Sequence, residues 1–237
     1  TTEIENAARE PEISDLANFL LKMGAVIEGI GTSRLTVEGV PVLHPVSYEV
    51  IPDRIEAATY LVALAVCGGE LKLIGARPDH MEMLLRKLEE MGMEWQEDEY
   101  GLSARVLERL QSVDVSTLPY PGLATDYKPF LVTALCVSQG AGMVTENIFA
   151  GRFRYIDELV RMGAEIRAEG RHAVVRGVKR LSGAPVRAHD IRAGAALVVA
   201  GLAADGETVI SDAHHVDRGY EDLAGKLSSV GAQVTRI

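Results

Sequence analysis

Three segments of the chain are apolar on nearly every side, and each opens with an aspartate. They start at Asp53, Asp126 and Asp190 and continue for about a dozen mostly small and apolar residues. A helix that is apolar all round is typical of burial on every side. A glycine-containing turn and an alternating strand follow each segment. The pattern therefore predicts three buried helices, each leading into a strand.

Four other segments predict helices with one polar face, each closing on a glycine. They read FLLKMGAVI, KLEEMGMEW, ELVRMGAEI and KLSSVGAQV, and their glycines are Gly24, Gly92, Gly163 and Gly231. The glycines are 68, 71 and 68 residues apart. Glycine just past a helix is expected to adopt the left-handed conformation that ends it. The even spacing indicates an internal repeat.

Together the two helix types predict an α/β unit of order βαβαββ, present three times, with half a unit in front. Buried helices combined with amphipathic strands favour helices inside and sheets outside, the inverse of the usual layering. An ordinary α/β sandwich of duplicated units fits the pattern equally well. The repeat alone does not separate these two architectures.

Composition narrows the class of protein. The 237 residues are 47% hydrophobic and 24% charged, as in globular domains, and the formal net charge is −10. That charge argues against a broad nucleic-acid surface, which needs clustered Lys and Arg. No apolar run reaches the length of a membrane span, and the first ten residues lack signal-peptide features. We expect a cytoplasmic protein with no nucleic-acid or membrane partner.

Cys67 and Cys136 lie in apolar runs and are interpreted as core residues.

Four arginines recur where one predicted element turns into the next. They are Arg54, Arg152, Arg192 and Arg218, the last standing between a predicted strand at 208–213 and a predicted helix at 220–231. A single arginine of this kind can pair with the adjacent aspartate or with a carbonyl from a neighbouring unit. Several at equivalent positions favour an anion site, because the guanidinium fork matches carboxylate and phosphate oxygens.

Asp126 has two interpretations. It can cap the buried helix that follows, as Asp53 and Asp190 can, or it can act as a general base near the arginines. The spacing of residues does not choose between them. Metal-ligand spacings, a P-loop, a nucleophile elbow and a dinucleotide fingerprint are all missing from the sequence.

Six phrases together resemble one family over the whole chain: IENAAREPEI, PDRIEAATYL, ATDYKPF, RFRYIDELVRMGA, DIRAGA and DRGYEDLAGKL. They are similar to the UDP-N-acetylglucosamine 1-carboxyvinyltransferases, the enolpyruvyl transferases (MurA) that open bacterial peptidoglycan synthesis. The resemblance implies an inverse (inside-out) α/β barrel of repeated βαβαββ units. It assigns 1–51 to the last part of a first lobe. It assigns 52–237 to a second lobe of three units, the last without its closing strands.

The resemblance also implies roles for individual residues. Asp126 matches the aspartate that takes the proton of the sugar 3-hydroxyl, and the chemistry implied is addition of that hydroxyl to phosphoenolpyruvate followed by loss of phosphate. Arg152, Arg192 and Arg218 match arginines around the phosphoenolpyruvate anion. The other matches are two residues of a loop at the uridine nucleotide and four supporting residues near the cleft: Ile148, Phe149, Glu10, Glu12, Arg54 and Asp190.

The expected substrates are phosphoenolpyruvate and UDP-N-acetylglucosamine, with no cofactor or metal. Two departures from the family pattern stand out. Ala150 and Gly151 occupy positions that are usually Glu-Asn, and the family's catalytic loop and lysine would lie upstream of Thr1. We therefore expect the chain alone to be inactive and to need the missing N-terminal part as a partner. The alternatives are a 3-phosphoshikimate 1-carboxyvinyltransferase-like enzyme and a non-catalytic half that binds a nucleotide sugar or a partner protein.

Overall fold

The structure, a computed structural model, describes residues 1–149 and 151–237. Eight α-helices and two short 3₁₀ helices, at Pro78–His80 and Thr125–Tyr127, lie in these residues. The α-helices are Pro11–Lys22 (α1), Arg54–Cys67 (α2), Glu82–Met91 (α3), Lys128–Val137 (α4), Ile156–Arg161 (α5), Ile191–Leu202 (α6), His214–Asp217 (α7) and Leu223–Ser229 (α8).

The strands of the described residues form five separate sheets, ordered β1-β3-β2, β4-β6-β5, β7-β8-β10-β9, β11-β13 and β12-β14. Their bounds are Thr2–Glu5 (β1), Val26–Glu28 (β2), Arg34–Glu38 (β3), Gly69–Ile74 (β4), Glu94–Asp98 (β5), Gly101–Val106 (β6), Val115–Ser116 (β7), Ala141–Thr145 (β8), Glu165–Glu169 (β9), His172–Arg176 (β10), Leu181–Ser182 (β11), Pro185–Arg187 (β12), Ala204–Asp205 (β13) and Val209–Ser211 (β14).

The three predicted apolar helices form the centre of the molecule. Helices α2, α4 and α6 contact one another, and most of their residues are buried. A glycine also leaves room for the segments packed against α6. At Gly194, an added methyl group would lie 2.7 Å from the side chain of Val216 in α7 and 2.9 Å from that of Ala188.

The middle of the chain shows the predicted repeat unit in full. The order β7-α4-β8-α5-β9-β10 is βαβαββ, with β7 parallel to β8 and the remaining pairs of this sheet antiparallel. Its helix α4 is buried, while β10 alternates between exposed and buried residues and β9 is mostly exposed. Helices lie inside and sheets outside, which confirms the inverse layering. The four repeat glycines have φ between +90° and +110°, as expected for residues that end helices.

The last part of the chain differs from the prediction around Arg218. The strand predicted at 208–213 is confirmed as β14, but a one-turn helix, α7, follows it directly. The helix predicted from residue 220 begins only at Leu223. Asp222 explains this start, because it takes a left-handed conformation and its carboxylate accepts a hydrogen bond from the Gly225 amide.

Residues 1–38 form a separate layer, in which α1 packs near the sheet β1-β3-β2. Residues 39–53 contain no helix or strand and lead into α2. The division into lobes at residues 51 and 52 stays a prediction. In the described residues no helix is both long and apolar enough to cross a bilayer. The same residues contain no cluster of three or more His, Cys, Asp or Glu side chains suited to a metal ion.

Candidate active site

Asp126 occupies the 3₁₀ turn that leads into α4, and its side chain caps no helix. The other two aspartates of the repeat do. Asp53 accepts hydrogen bonds from the Ile55 and Glu56 amides, and Asp190 accepts one from the Ala193 amide. Asp126 makes no such bond at the start of either helix next to it. The helix-cap interpretation therefore holds for Asp53 and Asp190 and fails for Asp126.

Two guanidinium groups meet one oxygen of the Asp126 carboxylate. Arg192 donates from Nε to Oδ1 at 3.3 Å, and Arg152 Nη2 lies 3.6 Å from the same oxygen. These arginines come from different repeat units, Arg192 from the first turn of α6 and Arg152 from the loop after β8. Arg192 Nη1 is buried and has no hydrogen-bond partner within the described chain. The cluster thus carries a net positive charge and an unused guanidinium N–H.

Arg218 lies one residue past the end of α7, and the turn it forms packs against the start of α6. A methyl group on Gly219 would lie 2.5 Å from Ile191 Cγ2 and 3.6 Å from Arg192 Nη1. Gly219 does not take a positive φ, so glycine is needed here for space and not for its backbone conformation. The next residue, Tyr220, hydrogen-bonds Thr59 in α2 at 2.7 Å, which ties the turn to the central helices. Arg218 itself is exposed, and none of the ion pairs seen in the described residues involves it.

The loop after β8 is organised by Glu146, a buried carboxylate. Its Oε1 accepts hydrogen bonds from the Thr117 hydroxyl and from the amides of Ile148 and Phe149, while its Oε2 accepts one from the Thr125 hydroxyl. The Phe149 ring is 54% exposed, so the loop presents it to solvent. Ala150 lies outside the described residues.

Lys128, at the first position of α4, completes this polar cluster. Its ammonium lies 2.7 Å from Glu146 Oε2, and both side chains are almost fully buried. Burial raises the pKa of Glu146, but the hydrogen bonds from Lys128, Thr125, Thr117 and the Ile148 amide outweigh it and lower the pKa to about 2. Burial lowers the pKa of Lys128, and Glu146 opposes that change. The glutamate is therefore ionised at neutral pH.

A second polar cluster links residues 1–51 to the central helices. Arg54 is 6% exposed and forms two-pronged hydrogen bonds with Glu12 of α1. Its Nη1 donates to the Tyr127 hydroxyl at 3.0 Å. Burial disfavours the charged guanidinium, but Glu12 and Tyr127 outweigh burial and raise the pKa of Arg54. Arg54 therefore has an ion-pair partner, but this partner is Glu12 and not the adjacent Asp53, whose carboxylate caps α2. Glu10 precedes α1 and caps nothing, and its Oε2 is buried without a partner in the described chain.

Comparison with known proteins identifies the family of this fold. The family model described as EPSP synthase (3-phosphoshikimate 1-carboxyvinyltransferase) matches residues 1–227. The chain belongs to this family. Among solved structures, the chain is similar to that of the enolpyruvyl transferase NikO from Streptomyces tendae, with a TM-score of 0.85 and 26% identity over 99% of this chain and 56% of that one. EPSP synthase from Acinetobacter baumannii has a TM-score of 0.73 over 93% of this chain and 55% of its own, and at 19% identity it shows the fold alone.

Curated relatives in the family are more similar in sequence. A protein named UDP-N-acetylglucosamine 1-carboxyvinyltransferase from Thermodesulfovibrio yellowstonii is 50% identical over 100% of this chain and 57% of its own length. One of the same name from Granulibacter bethesdensis is 51% identical over 100% of this chain and 56% of its own. The resemblance found in the motifs is confirmed. The chain spans little more than half the length of these relatives.

Within this family fold, the structure groups most of the residues selected from sequence. Asp126, Arg152 and Arg192 lie in direct contact, the turn of Arg218 lies beside Arg192, and Ile148 and Phe149 stand on the loop that carries Arg152. Arg54 and Glu12 form a neighbouring cluster joined to the site through Tyr127, while Asp190 caps α6.

Sequence reasoning missed Lys128 and Glu146. Each stands at the end of an apolar run, Lys128 before FLVTALCV and Glu146 after GMVT. A charged residue in that position is a weak signal, because most charges next to apolar runs face solvent. Only the fold shows that these two face each other.

Proposed function

We propose that a protein of full family length carrying this chain transfers the enolpyruvyl group of phosphoenolpyruvate to the 3-hydroxyl of UDP-N-acetylglucosamine and releases phosphate. The observation that carries the proposal is the Asp126 carboxylate held between Arg152 and Arg192. A proton acceptor stands there beside fixed positive charge, as a reaction between a hydroxyl and a doubly anionic acid requires. The roughly 50% identity to proteins named for this activity supports the choice of substrates.

In the proposed reaction, Asp126 accepts the proton of the sugar 3-hydroxyl. At the same time the hydroxyl oxygen attacks carbon 2 of phosphoenolpyruvate. The methylene carbon gains a proton from a general acid that the N-terminal part of the full-length protein supplies, and a tetrahedral adduct forms that still carries the phosphate. Loss of a proton from the new methyl group then restores the double bond as inorganic phosphate leaves. The product is the enolpyruvyl ether of the nucleotide sugar.

The arginines bind the anion in this scheme. Phosphoenolpyruvate carries a carboxylate and a phosphate on three carbons, and guanidinium groups from separate units can hold both ends. Arg192 Nη1 has no hydrogen-bond partner among the described residues and the Arg218 side chain is exposed, and these two groups would bind the anion. Because a preorganised cation does not need to reorient during the reaction, it lowers the barrier as charge shifts toward the leaving phosphate.

The remaining roles complete the proposal. Ile148 and the exposed Phe149 contact the uridine nucleotide. Glu10, Glu12, Arg54 and Asp190 support the cleft. The protein acts in the cytoplasm at the entry to peptidoglycan synthesis, and this chain works together with an N-terminal part that supplies the other lobe.

Turnover of the two substrates tests the proposal. Inorganic phosphate is measured with phosphoenolpyruvate and UDP-N-acetylglucosamine, for a protein of full family length and for the 237-residue chain alone. We expect release by the longer protein and none by the chain. Shikimate 3-phosphate replaces the nucleotide sugar as the control acceptor. Release with this acceptor, and none with the nucleotide sugar, would show that the substrate assignment is wrong.

A further inference from the structure

The buried pair of Lys128 and Glu146 has no part in the reaction proposed above. Both residues lie beneath the site rather than in it, since their side chains are 0% and 1% exposed. A buried ion pair is a poor source of stability, because desolvation of two charges offsets most of their attraction. An apolar pair would fill the same space at less cost, so the presence of this pair calls for another explanation.

We propose that Lys128 is a positioning residue: together with Glu146 it holds the described parts of the loop after β8, residues 146–149 and 151–152, in place and so fixes Arg152 and Asp126 relative to each other. The effect of this arrangement on catalysis rests on the proposed function. The closure of the loop is a property of the chain itself.

Lys128 binds both ends of the loop. Its ammonium contacts Glu146 Oε2 at the start of the loop and donates to the Arg152 carbonyl at its end, at 2.6 Å. The third side of the ammonium faces the Phe153 ring, 4.1 Å from its centroid. The ammonium thus has three partners, and through two of them it joins the start of the loop at Glu146 to its end at Arg152.

Glu146 extends the same network to the reacting groups. Its Oε2 accepts a hydrogen bond from the Thr125 hydroxyl at 2.7 Å, and this hydroxyl accepts one from Arg152 Nη1 at 3.2 Å. Thr125 directly precedes Asp126. The carboxylate, the threonine and the arginine therefore form a continuous path from the buried pair to the Asp126 contact. A shift of the loop would change the spacing between Arg152 and Asp126.

Amide hydrogen exchange in the 237-residue chain tests the closure directly. The variants are Lys128→Met, which keeps the length of the side chain without its charge, and Lys128→Met/Glu146→Gln, which leaves no unpaired buried charge. In both, the Ile148 and Phe149 amides should exchange at least about tenfold faster than in wild type, because the loop opens locally. The matched control is Thr133→Val, which changes a buried polar residue of the same helix. Exchange at the wild-type rate in the double variant, or equal acceleration in the control, overturns the inference.

Kinetics of a protein of full family length test the consequence. Lys128→Met should lower kcat/KM on the order of 100-fold, the cost expected when reacting groups are misplaced by about an ångström. In an Arg152→Ala background the same change should cost less than about threefold, because Lys128 acts through Arg152. Equal losses in both backgrounds, or a loss no larger than in Thr133→Val, contradict a positioning role. If the wild-type protein shows no turnover, the proposed function fails, and the exchange experiment still decides the closure of the loop.

Discussion

The titration of Glu146 should make the stability of the chain depend on pH in a defined window. Its pKa is about 2 in the folded protein against an ordinary value of 4.5. A carboxylate with a lowered pKa stabilises the fold at pH values above 4.5, and this contribution is lost as the pH falls toward 2. The shift corresponds to about 3 kcal/mol at pH 7, falling to about 2 kcal/mol at pH 3.5 and about 1 kcal/mol at pH 3.

The variant Glu146→Gln isolates this contribution, because a glutamine resembles the protonated acid. Free energies of unfolding are measured by urea denaturation of wild type and variant between pH 7 and pH 3. The difference between them should be largest at pH 7 and shrink by about 1 kcal/mol or more at pH 3.5. Thr133→Val serves as the control, since it removes no titrating group and its difference from wild type should stay constant. Parallel curves for wild type and Glu146→Gln over this range would refute the reasoning.

Three further predictions, made with four variants, separate the roles of individual residues. Asp190→Ala should destabilise the chain by about 1 kcal/mol through loss of a helix cap, whereas Asp126→Ala should destabilise it by less than half of that. Equal losses of unfolding free energy in urea denaturation would contradict the conclusion that Asp190 caps a helix and Asp126 does not. Gly219→Ala should lower turnover in a protein of full family length, because the added methyl would meet an α6 side chain at 2.5 Å, and unchanged kinetics would show that the turn tolerates it. Glu12→Gln should destabilise by about 1 to 3 kcal/mol, because a neutral amide replaces the carboxylate that pairs with the buried Arg54. An unchanged urea midpoint would show that the pair contributes little.

Periodicity predicted the central helices correctly because burial on all sides leaves a direct mark on composition. The apolar segments predicted from Asp53, Asp126 and Asp190 contain α2, α4 and α6, which begin at Arg54, Lys128 and Ile191, and the repeat glycines took positive φ. The hydrophobic pattern did not decide whether the helices lie inside the sheets or outside them, because an apolar helix and an amphipathic strand pack equally well in both arrangements. The family resemblance supplied what periodicity could not.

The short helix α7 was missed for a local reason. Four residues, His214–Asp217, are too few to show a helical period, and histidines next to a predicted strand read as its exposed end. Its presence changes how Arg218 is held. The arginine follows a helical turn anchored by the buried Val216, rather than a simple strand-to-helix loop.

The sequence predicted which charged residues belong to the candidate site, but it did not predict which of them contact each other. Four arginines looked equivalent in the sequence. In the structure Arg54 is satisfied by Glu12, while Arg152 and Arg192 converge on Asp126. Only long-range packing separates these cases, because the partner residues are tens of positions apart in the chain. The same reason explains why the pairing of Lys128 with Glu146 could not be foreseen.

The central claim is that guanidinium groups gathered around Asp126 bind the anionic three-carbon acid. The most direct test is phosphate release by a protein of full family length carrying Arg192→Ala, compared with Arg180→Ala, which removes an exposed arginine paired with Asp205. Loss of charge-assisted hydrogen bonds worth about 1.5 to 3 kcal/mol each predicts a fall in kcat/KM for phosphoenolpyruvate of at least about tenfold for Arg192→Ala and no change for Arg180→Ala. Unchanged kinetics in Arg192→Ala, with the fold intact by circular dichroism, would contradict the account.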